Sequence, residues 1–464
     1  MNNKNPSLLP NSEIGCPFKI CNFNRNNCAL NLFELTLKMN RFPISEAKAQ
    51  LLKIQSIPES DFKDYVLKKR QEIFDFHVSE NPFYQNFLSS KKITSWQEIP
   101  VMQKADLQKP LVERLSKGYS KKKVYVNKTS GSSGHPFIFA KDKFCHALTW
   151  AEILDRFGWY GLDFHHSLQA RFYGIPLDTF GYRKERLKDK LSCRYRFPIF
   201  DLSDQKLEQF LQIFRRKKFE YINGYTSSIV LFAKFLQKKN LILTQVCPTL
   251  KYCVVTSEML YDSDKQLMEV TFGVPVVNEY GASELDLIAF TNPKDKFIVN
   301  SETLFVEILD KNNQMVPHGT SGRIVITGLY NKAHPMIRYD IGDTGILSTT
   351  STFKTPVLQK LIGRTNDVAK LPGSKTVPGL TFYYVTKSVI EDDGNVKEFV
   401  IEQTALDTFK IRYTSERKLT DSETQTIKKA LYQYLENDLN LIFERVENLE
   451  RSERGKLMQF ISSL

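Results

Sequence analysis

The segment TSGSSGHPF (129–137) is the densest cluster of groups able to hold an anion. Gly131 and Gly134 have no Cβ, so backbone N–H groups there can approach a phosphate closely. The hydroxyls of Thr129, Ser130, Ser132 and Ser133 add donors, and a concave donor-rich loop suits a triphosphate. No Lys follows the second glycine, so this is neither the GxxxxGK[ST] phosphate loop nor GxGxxG. Taken alone, it reads first as a flexible loop and second as a nucleotide site. Four further motifs follow in chain order: EYGASE (279–284), RYDIGD (338–343), IGRTND (362–367) and RGK (454–456). They supply carboxylates that accept hydrogen bonds, guanidinium forks and one ammonium.

Periodicity shows the elements that must position these groups. Residues 30–80 have helical spacing, with Ser45 as a cap and Leu51, Leu52 and Ile54 on the apolar side. Val124, Tyr125 and Val126, the Gly/Ser loop, then Phe137, Ile138 and Phe139 predict strand–loop–strand. Helices are predicted over 207–219, 227–236 and 263–272. Strands are predicted over 252–255, 274–278, 304–309 and 323–327. That mixture predicts an α/β body. After Pro372 the predicted order is strands 399–402 and 409–413, a capped helix 421–435 and a strand 441–446. This is a small α+β domain of about 100 residues. The Gly- and Pro-rich junction GRTNDVAKLPGSKTVPG sets the boundary. The expected domains are 1–365, with 1–95 a helical lead-in, and 366–464.

The 464 residues suggest two to four domains at roughly 100–200 residues each. Hydrophobic residues at 41% and charged residues at 25% exclude a disordered chain, a collagen and a disulfide mini-domain. No apolar run approaches the roughly 18–20 residues that span a bilayer. The first residues lack the apolar segment of a secretory signal, so a cytoplasmic protein is expected. The seven cysteines include no CxxC pair and read as reduced thiols. Cys16, Cys21 and Cys28 match no common zinc spacing.

The net charge of +13 raises the question of an anionic partner. Residues 183–196, RKERLKDKLSCRYR, carry seven basic groups against Glu185 and Asp189. The first reading is a solvated face. The alternatives are a phosphorylated cofactor, an anionic membrane surface or an acidic saccharide. No zinc-finger, helix-turn-helix or RNA-recognition signature accompanies the charge, so no nucleic-acid partner is expected.

The five motifs in this order, with FYGIPL (172–177), FDLSD (200–204), NGYTSSIVLFAKFL (223–236) and YNKAHPMIRYDIGD (330–343), resemble one family. It is the adenylate-forming superfamily of acyl-CoA synthetases and adenylation domains. Within it the chain is similar to the phenylacetate–CoA ligase-like proteins of the capsular-polysaccharide branch, from about residue 96 onward. The resemblance implies a fold of α/β class: a large multi-lobed adenylate-forming N-terminal domain and a small mobile α+β C-terminal lid. It implies ATP and Mg²⁺ as cofactors. A small carboxylic acid would be activated as an acyl-adenylate with release of pyrophosphate, then passed to CoA. The alternative is transfer to an amine or hydroxyl, making an amide or ester in polysaccharide or secondary-metabolite biosynthesis. Family members are often dimers, so a homodimer is among the expectations.

The resemblance also implies roles. Thr129, Ser130, Gly131, Ser132, Ser133 and Gly134 would cradle the β- and γ-phosphates, where amides stabilise charge on the leaving pyrophosphate. Glu284 would hold Mg²⁺, a hard ion that takes carboxylate and phosphate oxygens, and Ser283 stands at the family's usual Thr. Glu279, Tyr280 and Gly281 would flank the adenine, with the Tyr280 ring as a stacking face. Ser257 and Glu258 would border it. Asp343 would accept from the ribose hydroxyls, Arg364 would reach the ribose or α-phosphate, and Arg338 would orient Asp343. Lys456 would bridge the acid and the α-phosphate, relieving repulsion between two anions. Lys456, Glu284 and Arg364 form the implied catalytic set. Lys370 would lie along a pantetheine tunnel. The acid pocket would take Phe172, Tyr173, Gly174, Tyr225, Thr256, Gly281 and Ala282. Asn366 stands at the family's hinge Asp, with Asp367 next. A rotation of the lid would carry Lys456 out and admit the acceptor.

Overall fold

The run YCVVT, apolar and β-branched without alternation, suits a strand covered on both faces. It lies at the middle of the largest sheet. The computed structural model describes residues 32–89, 93–128, 137–174, 179–199, 201–364, 368–372, 375–378, 396–434, 439–451 and 457–464. A hairpin of β1 (Val124–Lys128) and β2 (Ile138–Asp142) precedes this sheet. The sheet contains β3 (Gln169–Phe172), β4 (Arg194–Phe197), β5 (Tyr221–Tyr225), β6 (Tyr252–Thr256) and β7 (Val276–Ala282). It is completed by β8 (Asp286–Thr291) and β9 (Phe297–Val299). The order is β4-β3-β5-β6-β7-β8-β9, with parallel pairing from β4 through β7 and antiparallel pairing beyond.

Helices cover both faces, as a parallel sheet demands. On one face lie helices Asp204–Arg216, Thr226–Lys238 and Asp262–Phe272. In the first of these Leu207, Phe210, Leu211 and Phe214 recur at helical spacing and are all buried, which makes one apolar stripe. On the other face helix Lys143–Gly158 brings Phe157 against Tyr221, Val254 and Val277. Gly224 in β5 is required by close approach. A Cβ there would sit 2.6 Å from Phe172 Cβ in the neighbouring strand.

The predicted helical lead-in resolves into helices Leu32–Met39, Ile44–Gln55 and Glu59–Glu80. Ser45 lies inside the second and does not cap it. Pro43 is the N-cap and makes no side-chain cap hydrogen bond. A ring-fixed φ favours helix entry without a hydroxyl. The second and third of these helices share a core with a four-stranded antiparallel sheet of β10 (Leu304–Leu309), β11 (Ser321–Gly328), β12 (Tyr339–Leu347) and β13 (Leu358–Arg364).

Beyond β14 (Val368–Leu371) and β15 (Lys375–Pro378), the chain forms β16 (Val396–Ala405), β17 (Thr408–Ser415), β18 (Asn440–Arg445) and β19 (Phe460–Ser462). Their order is β18-β17-β16-β19. Helix Asp421–Tyr434 supplies Ile427 and Leu431 to their core. The predicted β–β–α–β unit is present with one added strand. β19, three residues long, is too short to show a period.

The basic run folds into helix Thr179–Leu191 and β4, and much of its charge is met locally. Asp189 accepts from Arg194 at 2.5 Å and from Arg196 at 2.9 Å, while Glu185 accepts from Lys188 at 2.6 Å and Arg196 at 2.8 Å. Cys145, Cys193, Cys247 and Cys253 are free thiols, whereas Cys16, Cys21 and Cys28 lie outside the described residues. Among the described residues no helix is long and apolar enough to cross a membrane.

Candidate active site

In parallel α/β sheets, ligands bind outside the carboxyl ends of the strands. Here a cavity of about 740 Å³ opens at the ends of β6 and β7. Ser257, Glu258, Glu279, Tyr280, Gly281 and Asp343 all line it. The sequence motifs had assigned these six to the nucleotide, and tertiary structure gathers them from three separate stretches. Gly363 of β13 and Leu457 and Gln459 from the C-terminal region close another side.

Local backbone geometry sets the wall. Ser257 follows β6 with φ of 68°, a left-handed turn that swings the chain away from the strand end. At Gly281 a β-bulge brings the Asp286 carbonyl so near that a Cβ would lie 2.6 Å from it. The Tyr280 hydroxyl donates to Asp343 Oδ2 at 2.6 Å, tying the end of β7 to β12. Asp343 is paired with Arg364 in the β12–β13 register. The Arg364 backbone therefore stands beside the expected ribose acceptor, and its side chain lies outside the described set.

Glu258 lines the cavity and also carries a structural duty. Its Oε2 accepts from the Ser227 N–H at 2.7 Å and its Oε1 from the Leu457 N–H at 3.1 Å. Both oxygens therefore serve backbone donors, and one donor directly follows Lys456. Nearby, the Tyr261 hydroxyl donates to Gln459 Oε1 at 2.9 Å. Tyr261 and Gln459 carry no motif signal, because their pairing joins residues 198 positions apart.

Glu284 sits in the turn between β7 and β8, only 8% exposed, and accepts from the Tyr339 hydroxyl at 3.0 Å. Burial and this neighbouring carboxylate push the Tyr339 phenol upward, which keeps it a donor. Lys141, buried and ion-paired with Asp286, lies alongside. Burial pulls its ammonium downward, opposed by the charges of Cys145 and Glu284. Glu284 and Lys141 line a separate small cavity of about 30 Å³ and not the larger one. Among the described residues no group of three or more His, Cys, Asp or Glu side chains gathers. A lone carboxylate fits Mg²⁺ only where phosphates and water complete the shell, which is how that ion is ordinarily held.

The acid-pocket candidates divide. Tyr173 and Tyr225 meet with ring centroids 4.7 Å apart. The Thr256 hydroxyl hydrogen-bonds Glu279, and burial pushes that carboxyl up, opposed by the hydrogen bond and by Arg171. The Gly174 carbonyl accepts from Arg196 at 2.8 Å, and Ala282 ends β7. Phe172 does not belong to the pocket. It is fully buried, stacked on Phe197 with centroids 5.0 Å apart, because strand alternation turns it into the opposite face.

Two further expectations change. Arg338 does not orient Asp343. It is buried, donates to the Gln97 and Ile99 carbonyls at 2.8 and 2.6 Å, and pairs with Glu307 at 3.4 Å. Its backbone is left-handed, with φ of 45°, immediately before β12 begins. Lys370, in β14, is exposed and outside the cavity lining, and its backbone exchanges hydrogen bonds with the Gln403 side chain. Thr129, Ser130, Gly131, Ser132, Ser133, Gly134, Asn366, Asp367 and Lys456 lie outside the described residues, and Ser283 shares the turn with Glu284.

No protein-family model matches the chain. Over 333 residues it is 25% identical to protein CapK of Staphylococcus aureus, a match spanning 68% of each chain. Over 265 residues it is 24% identical to the phenylacetate-coenzyme A ligase of Aromatoleum evansii, covering 54% of this chain and 57% of the ligase. Among solved structures, 2-hydroxyisobutyryl-CoA ligase in its postadenylation state superposes with a TM-score of 0.65 at 17% identity. That match covers 88% of this chain and 91% of the other. In sequence the chain is similar to CapK and to phenylacetate–CoA ligases, and it shares the fold of an adenylate-forming CoA ligase.

Proposed function

We propose that this protein activates a small carboxylic acid with ATP and transfers the acyl group to CoA. The observation that carries the reading is the convergence on one cavity. The Tyr280–Asp343 pair, the end of β6 and the residue following Lys456 all meet there. Asp343 and Tyr280 would hold ribose and adenine. A carboxylate oxygen of the acid would attack the α-phosphorus. The bond from that phosphorus to the oxygen bridging to the β-phosphate breaks, and pyrophosphate leaves with the electron pair. Lys456 would reduce repulsion between the two anions as they meet. Mg²⁺, when bound, would neutralise phosphate charge, and Glu284 is the residue suited to hold it. In the second step the CoA thiol loses its proton, its sulfur attacks the acyl carbon, and AMP departs. The names of the ligases to which the chain is similar support CoA as acceptor.

The test is pyrophosphate release with Mg·ATP across aromatic, fatty, hydroxy, amino and uronic acids, with hydroxylamine trapping the activated acyl group. A responsive acid is expected, and Lys456→Ala should lower release about 10²–10³-fold, the worth of one transition-state donor. Adding CoA should convert the trapped product to a thioester. Thioester absent while an added amine or alcohol is acylated would replace CoA by that acceptor. No release with any acid, together with no ATP binding, would sink the ligase reading.

A further inference from the structure

Three arginines share one face of the main sheet at its β4–β3 edge. Arg194 is paired with Gln169, and Arg196 with Arg171, in the β3–β4 register, and paired residues of parallel strands point the same way. Arg194 and Arg196 are both neutralised, Arg194 by Asp189 and Arg196 by Asp189 and Glu185. Arg171 is not. Among the described residues it forms no ion pair within 4.0 Å, and its Nε is buried without a hydrogen-bond partner. Its Nη1 donates a long 3.4 Å hydrogen bond to Gln169 Oε1. The guanidinium lies 4.0 Å from the centroid of the Tyr173 ring. A ring face fixes a cation without cancelling its charge.

The register gives Arg171 a position relative to the acid pocket. Arg171, Asn223, Val254 and Val277 form one row across β3, β5, β6 and β7. The next row toward the strand ends on the same face is Tyr225, Thr256 and Glu279. Of this row Glu279 lines the cavity, and Arg171 belongs to the row two residues, roughly 7 Å, further back along the strands. An acid entering with its reactive carboxylate toward the nucleotide would present its far end to this level. Buried polar groups are ordinarily satisfied, and an unsatisfied one asks what completes it. The Arg171 charge opposes the upward push of burial on Glu279, yet the hydrogen bond of that carboxyl goes to Thr256.

We infer that Arg171 is the anchor for a second anionic group, such as a carboxylate, at the end of the acid remote from the one adenylated. The inference rests on the ligase reading above and narrows its substrate class to diacids and other acids with a remote anion. A neutral phenyl or alkyl terminus would leave the buried Nε without a partner.

Calorimetric binding with AMP in place of ATP tests this without turnover. The probes are succinate to suberate, each against the monocarboxylic acid of equal length, and phenylacetate against 4-carboxyphenylacetate. The best diacid should bind about 10- to 100-fold more tightly than its neutral counterpart, the worth of a charge-assisted hydrogen bond. Arg171→Gln should erase that ratio while leaving the neutral acid's affinity unchanged, and Arg171→Lys should restore part of it. A purely structural role would weaken both acids together. Equal binding of each pair by the native protein, or a diacid preference that survives in Arg171→Gln, overturns the proposal. Pyrophosphate release is followed in parallel. Its absence with every acid, alongside Arg171-dependent diacid binding, overturns the ligase reaction and leaves the anion site standing.

Discussion

At Asp343 the chemistry of one carboxylate depends on a hydroxyl 63 positions earlier in the chain. Tyr280 donates to Oδ2 at 2.6 Å and so fixes the carboxylate at the mouth of the cavity. An ionised carboxylate is an acceptor only, which suits the diol of a ribose. Asp343→Ala should raise the KM for ATP by about 10- to 100-fold, matching a lost charge-assisted hydrogen bond. Tyr280→Phe should raise it less, because it removes only the orienting contact. Initial rates of pyrophosphate release measure both, and an unchanged KM in Asp343→Ala would remove this residue from the nucleotide site. Phe172 and Arg338 carry the opposite lesson. Both lie in motif-bearing segments, and both are buried in roles that only packing defines. Residue type announces what a group can do, while its neighbours decide what it does.

At the scale of elements, the turn after β6 is tied to the start of helix Thr226–Lys238 and to the segment entering β19. Glu258 makes both ties, through the N–H groups of Ser227 and Leu457. Leu457 directly follows Lys456, so Glu258 fixes the backbone next to the proposed bridging cation. It acts as a positioning residue. Glu258→Ala should slow pyrophosphate release about 10- to 100-fold, the range for a charge-assisted hydrogen bond left unmade. Thioester formation from a supplied acyl-adenylate should stay near the native rate, because that step does not need Lys456 in place. Equal losses in both half-reactions would show that the glutamate holds the fold together and does not position the lysine.

Across the whole molecule, the C-terminal sheet touches the main body at a few polar points. Lys238, at the end of a body helix, pairs with Glu416 after β17 at 2.7 Å. Arg451 pairs with Glu398 and reaches Ser227 Oγ at 3.4 Å. The Lys238–Glu416 pair is exposed, and exposed ion pairs contribute little stability, so that contact can release and re-form. Leu457 lines the cavity, next in the chain to the lysine proposed for adenylation. A bismaleimide bridge between Lys238→Cys and Glu416→Cys should preserve hydroxamate formation and abolish acyl transfer, with the reduced, unbridged pair as reference. Transfer undiminished by the bridge would rule out a rotation of the C-terminal region between the half-reactions.

Sequence alone determined the class of fold and the identity of the motifs, because both are written locally. Apolar spacing fixes which stretches become strands and helices, and YCVVT or the stripe from Leu207 to Phe214 needs no distant partner to be read. Six of the residues assigned to the cofactor, Ser257, Glu258, Glu279, Tyr280, Gly281 and Asp343, line one cavity, whereas Lys370 does not. Tertiary structure alone decided which groups are committed and which remain unmet. The Glu258 carboxylate is occupied by donors from two remote segments, and Arg338 is held by carbonyls more than 200 positions away. Among the described residues Arg171 has no ion pair, while its two companions have theirs. Those outcomes depend on contacts between residues far apart in the chain, and on burial that sets the strength of each charge, neither of which periodicity encodes.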